Sequence, residues 1–362
     1  MTVKRKTLAP YGEPHFQLHT GEEYFNVLSN DIATVDEELV SVASMGFDPT
    51  DPHVIQVLEA LRNASHRGAA VSLTVDHFSY FDKSGIGPIG EVPLGDYGYL
   101  DSFAESGQQL FAGLSNKPNI AGFHTLAGWT YAGRSHIKSA TVGDNLYVGG
   151  ISLDATDRLD AMVQVTHPEL AYQVAVLNRS TIIRPSVAHV LDGADYAITF
   201  DEAARSELLV DAGIRGQSII FDEATDIIES AEERLIYASE QFPTGKAGHL
   251  LLNAYERGVD VTIASNHPSK HDRYTLAHAA ILAVAKKKYP ASFFDNQLPQ
   301  YFPGLHTKAL ASESRAMIGS HNLNRIGVRL GTAEMSIVSS NKEFVSQVGS
   351  LILRQISHGV NA

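Results

Sequence analysis

The sequence holds no cysteine, which excludes disulfides, thiolate-bound zinc or iron–sulfur clusters and thiol catalysis together. It has no run near the ~20 apolar residues that a bilayer-spanning helix needs. Positive charge is scarce: 28 Lys and Arg against 41 Asp and Glu leave a net charge of −13. Such a surface repels phosphate backbones as a whole, which disfavours a general nucleic-acid or anionic-membrane coat while leaving room for a local basic pocket. The N-terminus, Met1 to Lys6, is basic, but Thr7 to Glu13 includes Pro10 and Gly12 where an export signal has its apolar segment. A soluble, cytoplasmic protein is therefore expected. What remains is ordinary: 362 residues, 44% apolar and 19% charged, enough for one large domain or two smaller ones with proper cores.

One pattern occurs twice. His53 to His66 places Val54, Val57, Leu58 and Leu61 on one helical face, then stops at Arg67-Gly68 before the apolar stretch 69–76. Gly248 to Glu256 is again helical, Arg257-Gly258 is again the stop, and 259–266 is again strand-like, at an offset of 190. Helices alternating with apolar strands predict an α/β fold of two similar halves, each a mixed sheet flanked by helices. The expected division is an N-terminal extension (1–21), a first half (22–215, with an insertion over 77–120) and a second half (216–362). Loosely similar helix–strand units in an unduplicated α/β protein would look much the same.

The chemical signal is sharper. Ser135-His136-Ile137-Lys138 leads to Gly149-Gly150 and Ser152, and Leu305-His306-Thr307-Lys308 leads to Gly319-Ser320-His321-Asn322. In both, His to Gly is 13 positions (149 − 136 and 319 − 306), and His to Ser152 or Asn322 is 16 (152 − 136 and 322 − 306). With 16 His and 12 Lys, chance supplies 16 × 12/362, about half a His-x-Lys. Two copies with matching downstream residues are a strong signal. If His and Lys lie on a strand, they face one side of it. Two copies brought together would make a cationic, donor-rich cradle at the interface between the halves, suited to one phosphodiester.

At these residues the chain resembles the phospholipase D superfamily, over about 22–340. Arg158-Leu159-Asp160 and Gly331-Thr332-Ala333-Glu334 resemble the positions from which an acid bonds a catalytic histidine in that family. The usual Asp five residues after the Lys is Gly143 in one motif, with Asp144 beside it, and Glu313 in the other; Ser152 stands where Asn is usual. The resemblance implies a two-step displacement at phosphorus without cofactor or metal, with His136 as nucleophile and His306 as acid/base. Lys138, Lys308, Ser152 and Asn322 would hold the phosphoryl oxygens, and Asp160 and Glu334 would support the histidines. Gly150, Ser320, His321 and Trp129 are expected against substrate. The function so implied is a phosphodiesterase or phosphatidyltransferase acting on phospholipid, working as a monomer with peripheral membrane contact. A metal-independent nuclease or nucleotide phosphodiesterase is the alternative, and would call for a basic groove.

Other candidates are weaker. Gly85-x-Gly87-x-x-Gly90 fits a dinucleotide fingerprint only literally, since it holds Pro88 and no strand–helix crossover surrounds it. His267 and His271 read as loop histidines without a third ligand. Lys286 to Lys288 close an apolar helix, where cations are favourable in themselves; contact with membrane phosphate is the sharper reading. Phe78, Tyr80, Phe81, Tyr97 and Tyr99, in the insertion, and Tyr131 are either substrate contacts or core filler.

Overall fold

Helix ends and strand starts fall where the stop and cap residues place them. Asp51 accepts the N–H groups of His53 and Val54 to begin one helix, which ends at Gly68 in the left-handed region at φ 112°. The computed structural model describes residues 2–76, 94–115, 134–154, 158–184, 186–265, 275–290 and 304–360. In chain order it forms β1 (Val3–Thr7), β2 (Phe16–Thr20), α1 (Gly21–Thr34), β3 (Leu39–Ser44), α2 (Pro52–Arg67), β4 (Ala70–Asp76), α3 (Leu94–Glu105) and β5 (Leu110–Ser115). It continues with β6 (Ser139–Val142), β7 (Asn145–Gly149), β8 (Ala161–Thr166), α4 (Pro168–Ile183), α5 (Val187–Val190), β9 (Asp195–Asp201) and β10 (Ser206–Ala212). Next come α6 (Ile219–Ser230), β11 (Arg234–Ser239), α7 (Gly245–Glu256), β12 (Asp260–Ser265) and α8 (Thr275–Lys288). The chain closes with β13 (Ala309–Ser312), β14 (Ala316–Gly319), α9 (Arg325–Leu330), β15 (Ala333–Ser339) and α10 (Lys342–Val360).

One sheet runs β2-β8-β7-β6-β3-β4-β5, the other β1-β9-β10-β15-β14-β13-β11-β12. Remove β5 from the first and β1 and β9 from the second, and six strands remain in the same order in each. In both, only the pair after the first crossover helix (β3 with β4, β11 with β12) is parallel within those six. The duplication read from the Arg-Gly stops is thus a duplication of topology. Sheet membership divides the chain differently from the expected boundaries. β9 and β10, before residue 216, lie in the second sheet, and β2, inside the expected extension, lies in the first. Short strands such as β2 carry too few alternating residues to be assigned to a sheet by pattern.

The layers follow from strand periodicity. Leu146 and Val148 of β7, and Met335 and Ile337 of β15, point into a central core shared by both sheets and by α4 and α10. On the opposite faces, Tyr147 and Val338 point outward, under α1, α2 and α3 on one side and α6, α7 and α8 on the other. The expected insertion is partly structural: β5 adds a parallel edge strand to β4, and Leu100, Phe103, Leu110 and Leu114 are buried. Tyr99 stacks on Phe103 and packs against the same core. No helix among the described residues is long and apolar enough to cross a membrane.

Candidate active site

The two His-x-Lys segments do not lie in strands, as the same-face argument assumed; each ends one residue before its strand, β6 or β13. They are held instead by the opposite half. Ser135 bridges to Ala333 and Leu305 to Leu159, both in parallel register. The His136 N–H donates to the Ala333 carbonyl at 2.8 Å, and the His306 N–H to the Leu159 carbonyl at 2.9 Å. This crossing continues in the side chains. The first-half His136 bonds through Nδ1 to Glu334 of the second half at 2.9 Å, and the second-half His306 bonds through Nδ1 to Asp160 of the first half at 2.5 Å. Each imidazole therefore leaves Nε2 as its working nitrogen. Both rings keep 13% of their side-chain surface exposed, whereas the two carboxylates keep 4%.

Lys138 and Lys308 are buried, and each turns back to donate to the carbonyl of its own motif's histidine. Burial pushes the Lys138 amine down to about 7, assisted by the Lys308 ammonium and opposed by Glu334 and Asp160. The two motif copies thus converge closely enough for their cations to repel. Burial and the Lys308 charge hold His306 well below the ordinary imidazole range, against a pull upward from Glu240. Burial raises Asp160, with Lys308 pulling it back. Burial would also raise Glu334, but the charge of His136 and the bond from it bring that carboxyl down to about 2.

The glycines make room for the carboxylates. A Cβ on Gly150 would lie 2.1 Å from Asp160 Oδ1, and one on Gly149 2.1 Å from the Ala161 carbonyl. Gly150 therefore makes room for Asp160. Ser320, its counterpart, is fully buried and donates its hydroxyl to Glu334 at 2.6 Å, so it too positions an acid. His321 is buried and accepts the Leu323 N–H at 2.9 Å, securing a turn in which Leu323 has φ 48°. It holds a loop rather than lining the cleft. Asn322 is partly exposed; its carbonyl accepts the Ser239 hydroxyl at 2.7 Å, while its side-chain Oδ1 has no partner. Ser152 is buried, with 7% of its surface exposed. Glu313 accepts the N–H groups of Glu232, Glu233 and Arg234, tying the motif loop to the start of β11. Gly143, its counterpart, has φ 53° and no such anchor.

One acidic residue escaped the sequence reading. Glu240 follows β11 directly and sets Oε2 3.9 Å from His306 Nε2. Its counterpart after β3 is Met45, so comparison of the two halves, not any motif, was the available signal. The two lysines thus sit among the carboxylates of Asp160, Glu334 and Glu240, with Asp154 and Arg158 also within electrostatic reach, rather than in the expected cationic cradle. Trp129, Tyr131, Phe78, Tyr80, Phe81, Gly85 to Gly90, His267 and His271 lie outside the described residues, as does the side chain of Tyr97. Among the described residues, no group of three His, Asp or Glu side chains is arranged to hold a metal ion.

This is a two-fold α/β sandwich in which each half's histidine bonds a carboxylate of the other half, and its fold is found in known proteins. Residues 225–354, most of the second half, match the family described as cardiolipin synthase, phospholipase D-like domain. The phosphatidylserine synthase of Haemophilus influenzae shares the fold at a TM-score of 0.66 and 11% identity, over 94% of this chain and 86% of that one. The polyphosphate kinase of Porphyromonas gingivalis does so at 0.55 and 13% identity, over 95% of this chain and 50% of that one. No curated protein matches in sequence. Residues 225–354 thus carry a phospholipase D-like domain by sequence, and the chain as a whole shares its fold with the phosphatidylserine synthase structure.

Proposed function

We propose that this protein is a phosphodiesterase or phosphatidyltransferase that acts on phospholipid through a phosphohistidine. The observation that carries the reading is the crossed pairing, which engages Nδ1 of both histidines and keeps them in one cluster with both lysines. In the first step His136 Nε2 bonds to phosphorus as the bond to the leaving alcohol breaks, and His306 Nε2 gives that oxygen its proton. In the second, water or another alcohol yields its proton to His306 while its oxygen displaces His136 from phosphorus. Lys138, Lys308, Asn322 and Ser152 hold the non-bridging oxygens. The arriving diester anion offsets the Lys308 charge that holds His306 down, so substrate itself prepares His306 to act as an acid. Every part lies in one chain, consistent with action as a monomer, and lipid would be met peripherally from the cytoplasm. The net charge of −13 and the carboxylate beside His306 favour a lipid diester over a polynucleotide.

The test uses bis(p-nitrophenyl) phosphate, whose leaving group needs no protonation. His306→Ala should release one p-nitrophenol per chain and then stall as a phosphohistidine detectable by mass spectrometry. His136→Ala should release none. The reverse pattern would assign the nucleophile to His306, and unchanged turnover in both variants would end the proposal. Parallel assays with phosphatidylcholine and single-stranded DNA decide the substrate class.

A further inference from the structure

The two halves repeat the machinery but not its surroundings. After β3 comes Met45, and after β11 comes Glu240, at the same place one residue beyond a serine that closes the strand (Ser44 and Ser239). Asp160 and Glu334 bond the histidines through Nδ1 and keep 4% of their side-chain surface, and Glu240 shares the field of Lys308 with them. Glu240 keeps 21% and lies on the working side of His306, 3.9 Å from Nε2. That nitrogen hands the proton to the departing alcohol and takes it from the arriving one. An alcohol oxygen hydrogen-bonded to that nitrogen would lie close to the Glu240 carboxylate, which can therefore act on a charge carried one or two bonds beyond it. Arg158 is exposed and its charge also reaches His306, but more weakly than that of Glu240.

We infer that Glu240 selects the alcohol exchanged at His306, admitting one that carries an ammonium ahead of a neutral one and turning away one that carries an anion. This rests on the proposed function, with His306 as acid/base. A carboxylate at this distance attracts a cation and repels an anion in a partly desolvated cleft, where screening is incomplete. A Met45-like residue there would be indifferent to charge.

Three acceptors of one size and different charge test it: ethanolamine, ethylene glycol and glycolate. Each competes with water for the phosphohistidine formed from bis(p-nitrophenyl) phosphate. The His136–phosphorus bond breaks as the acceptor oxygen bonds to phosphorus, and the acceptor's hydroxyl proton passes to His306. The ratio of transfer product to mono-p-nitrophenyl phosphate is read by mass spectrometry. In the wild-type protein, ethanolamine should exceed ethylene glycol by about tenfold, and glycolate should fall as far below it. Glu240→Gln should bring the three within about twofold, and Glu240→Lys should invert the order. The inference is overturned if the wild type shows no charge order, or if the order survives in both variants. Release of no p-nitrophenol by the wild type would overturn the proposed function and this inference with it, whereas turnover without charge order overturns the inference alone.

Discussion

An ammonium as deeply buried as that of Lys138 cannot keep its ordinary affinity for a proton. Burial, then Lys308, bring it to about 7, so its charge is present at lower pH and is lost as pH rises through neutrality. If that charge grips a phosphoryl oxygen as proposed, kcat/KM should decline on the alkaline side from about pH 7. Lys138→Arg, whose guanidinium stays charged, should move that decline upward by more than one pH unit, whatever it does to the maximal rate. At this scale the motif residues were legible because their spacing along the chain is short and duplicated. Asp160 and Glu334 were legible as histidine partners only through the family resemblance, and which histidine each serves was not. Ser320 read as a substrate contact because a small polar residue after glycine looks the same whether it faces a ligand or a carboxylate. Glu240 had no repeat to mark it.

Among elements, the two Arg-Gly stops have one physical cause. Arg67 donates to the carbonyls of Ile32 and Val35 at the end of α1, and Arg257 to those of Ile228, Glu229 and Ala231 at the end of α6. Each guanidinium thus satisfies the open carbonyls of the neighbouring helix while its glycine, at φ 112° or 92°, turns the chain into the next strand. Arg257→Ala should cost about 1–3 kcal/mol, seen as a lower urea midpoint with activity retained in the absence of denaturant. Glu313 makes a similar tie. Its burial would raise its pKa, but the N–H bonds outweigh this and lower it, so its stabilisation is present above the ordinary carboxylate range and lost as pH falls below it. The gap in urea midpoint between wild type and Glu313→Gln should accordingly be widest near neutral pH and close in acid. Alternating helices and strands announced the α/β class. The assignments of β1, β2, β9 and β10 to their sheets were hidden, since pairing partners lie up to about two hundred residues away and leave no local trace.

For the molecule as a whole, crossed pairing divides the labour between halves. If His136 attacks, its orienting acid Glu334 belongs to the other half, so Glu334→Gln should slow formation of the phosphohistidine. Asp160→Asn should slow its breakdown, because Asp160 serves His306. Pre-steady-state p-nitrophenol release separates the two: the first variant should lose the burst rate, and the second should keep the burst and lose the steady rate, by about 10²–10⁴-fold in each case.

The backbone bridges from Ser135 to Ala333 and from Leu159 to Leu305 sit one residue from the histidines and the acids. Any swing of one half away from the other would pull both imidazoles off their carboxylates in the same motion. Under the proposed mechanism this amounts to an interlock: the catalyst would be armed only while the sandwich is shut, and a compound that wedges the seam open would disable both steps without touching either histidine.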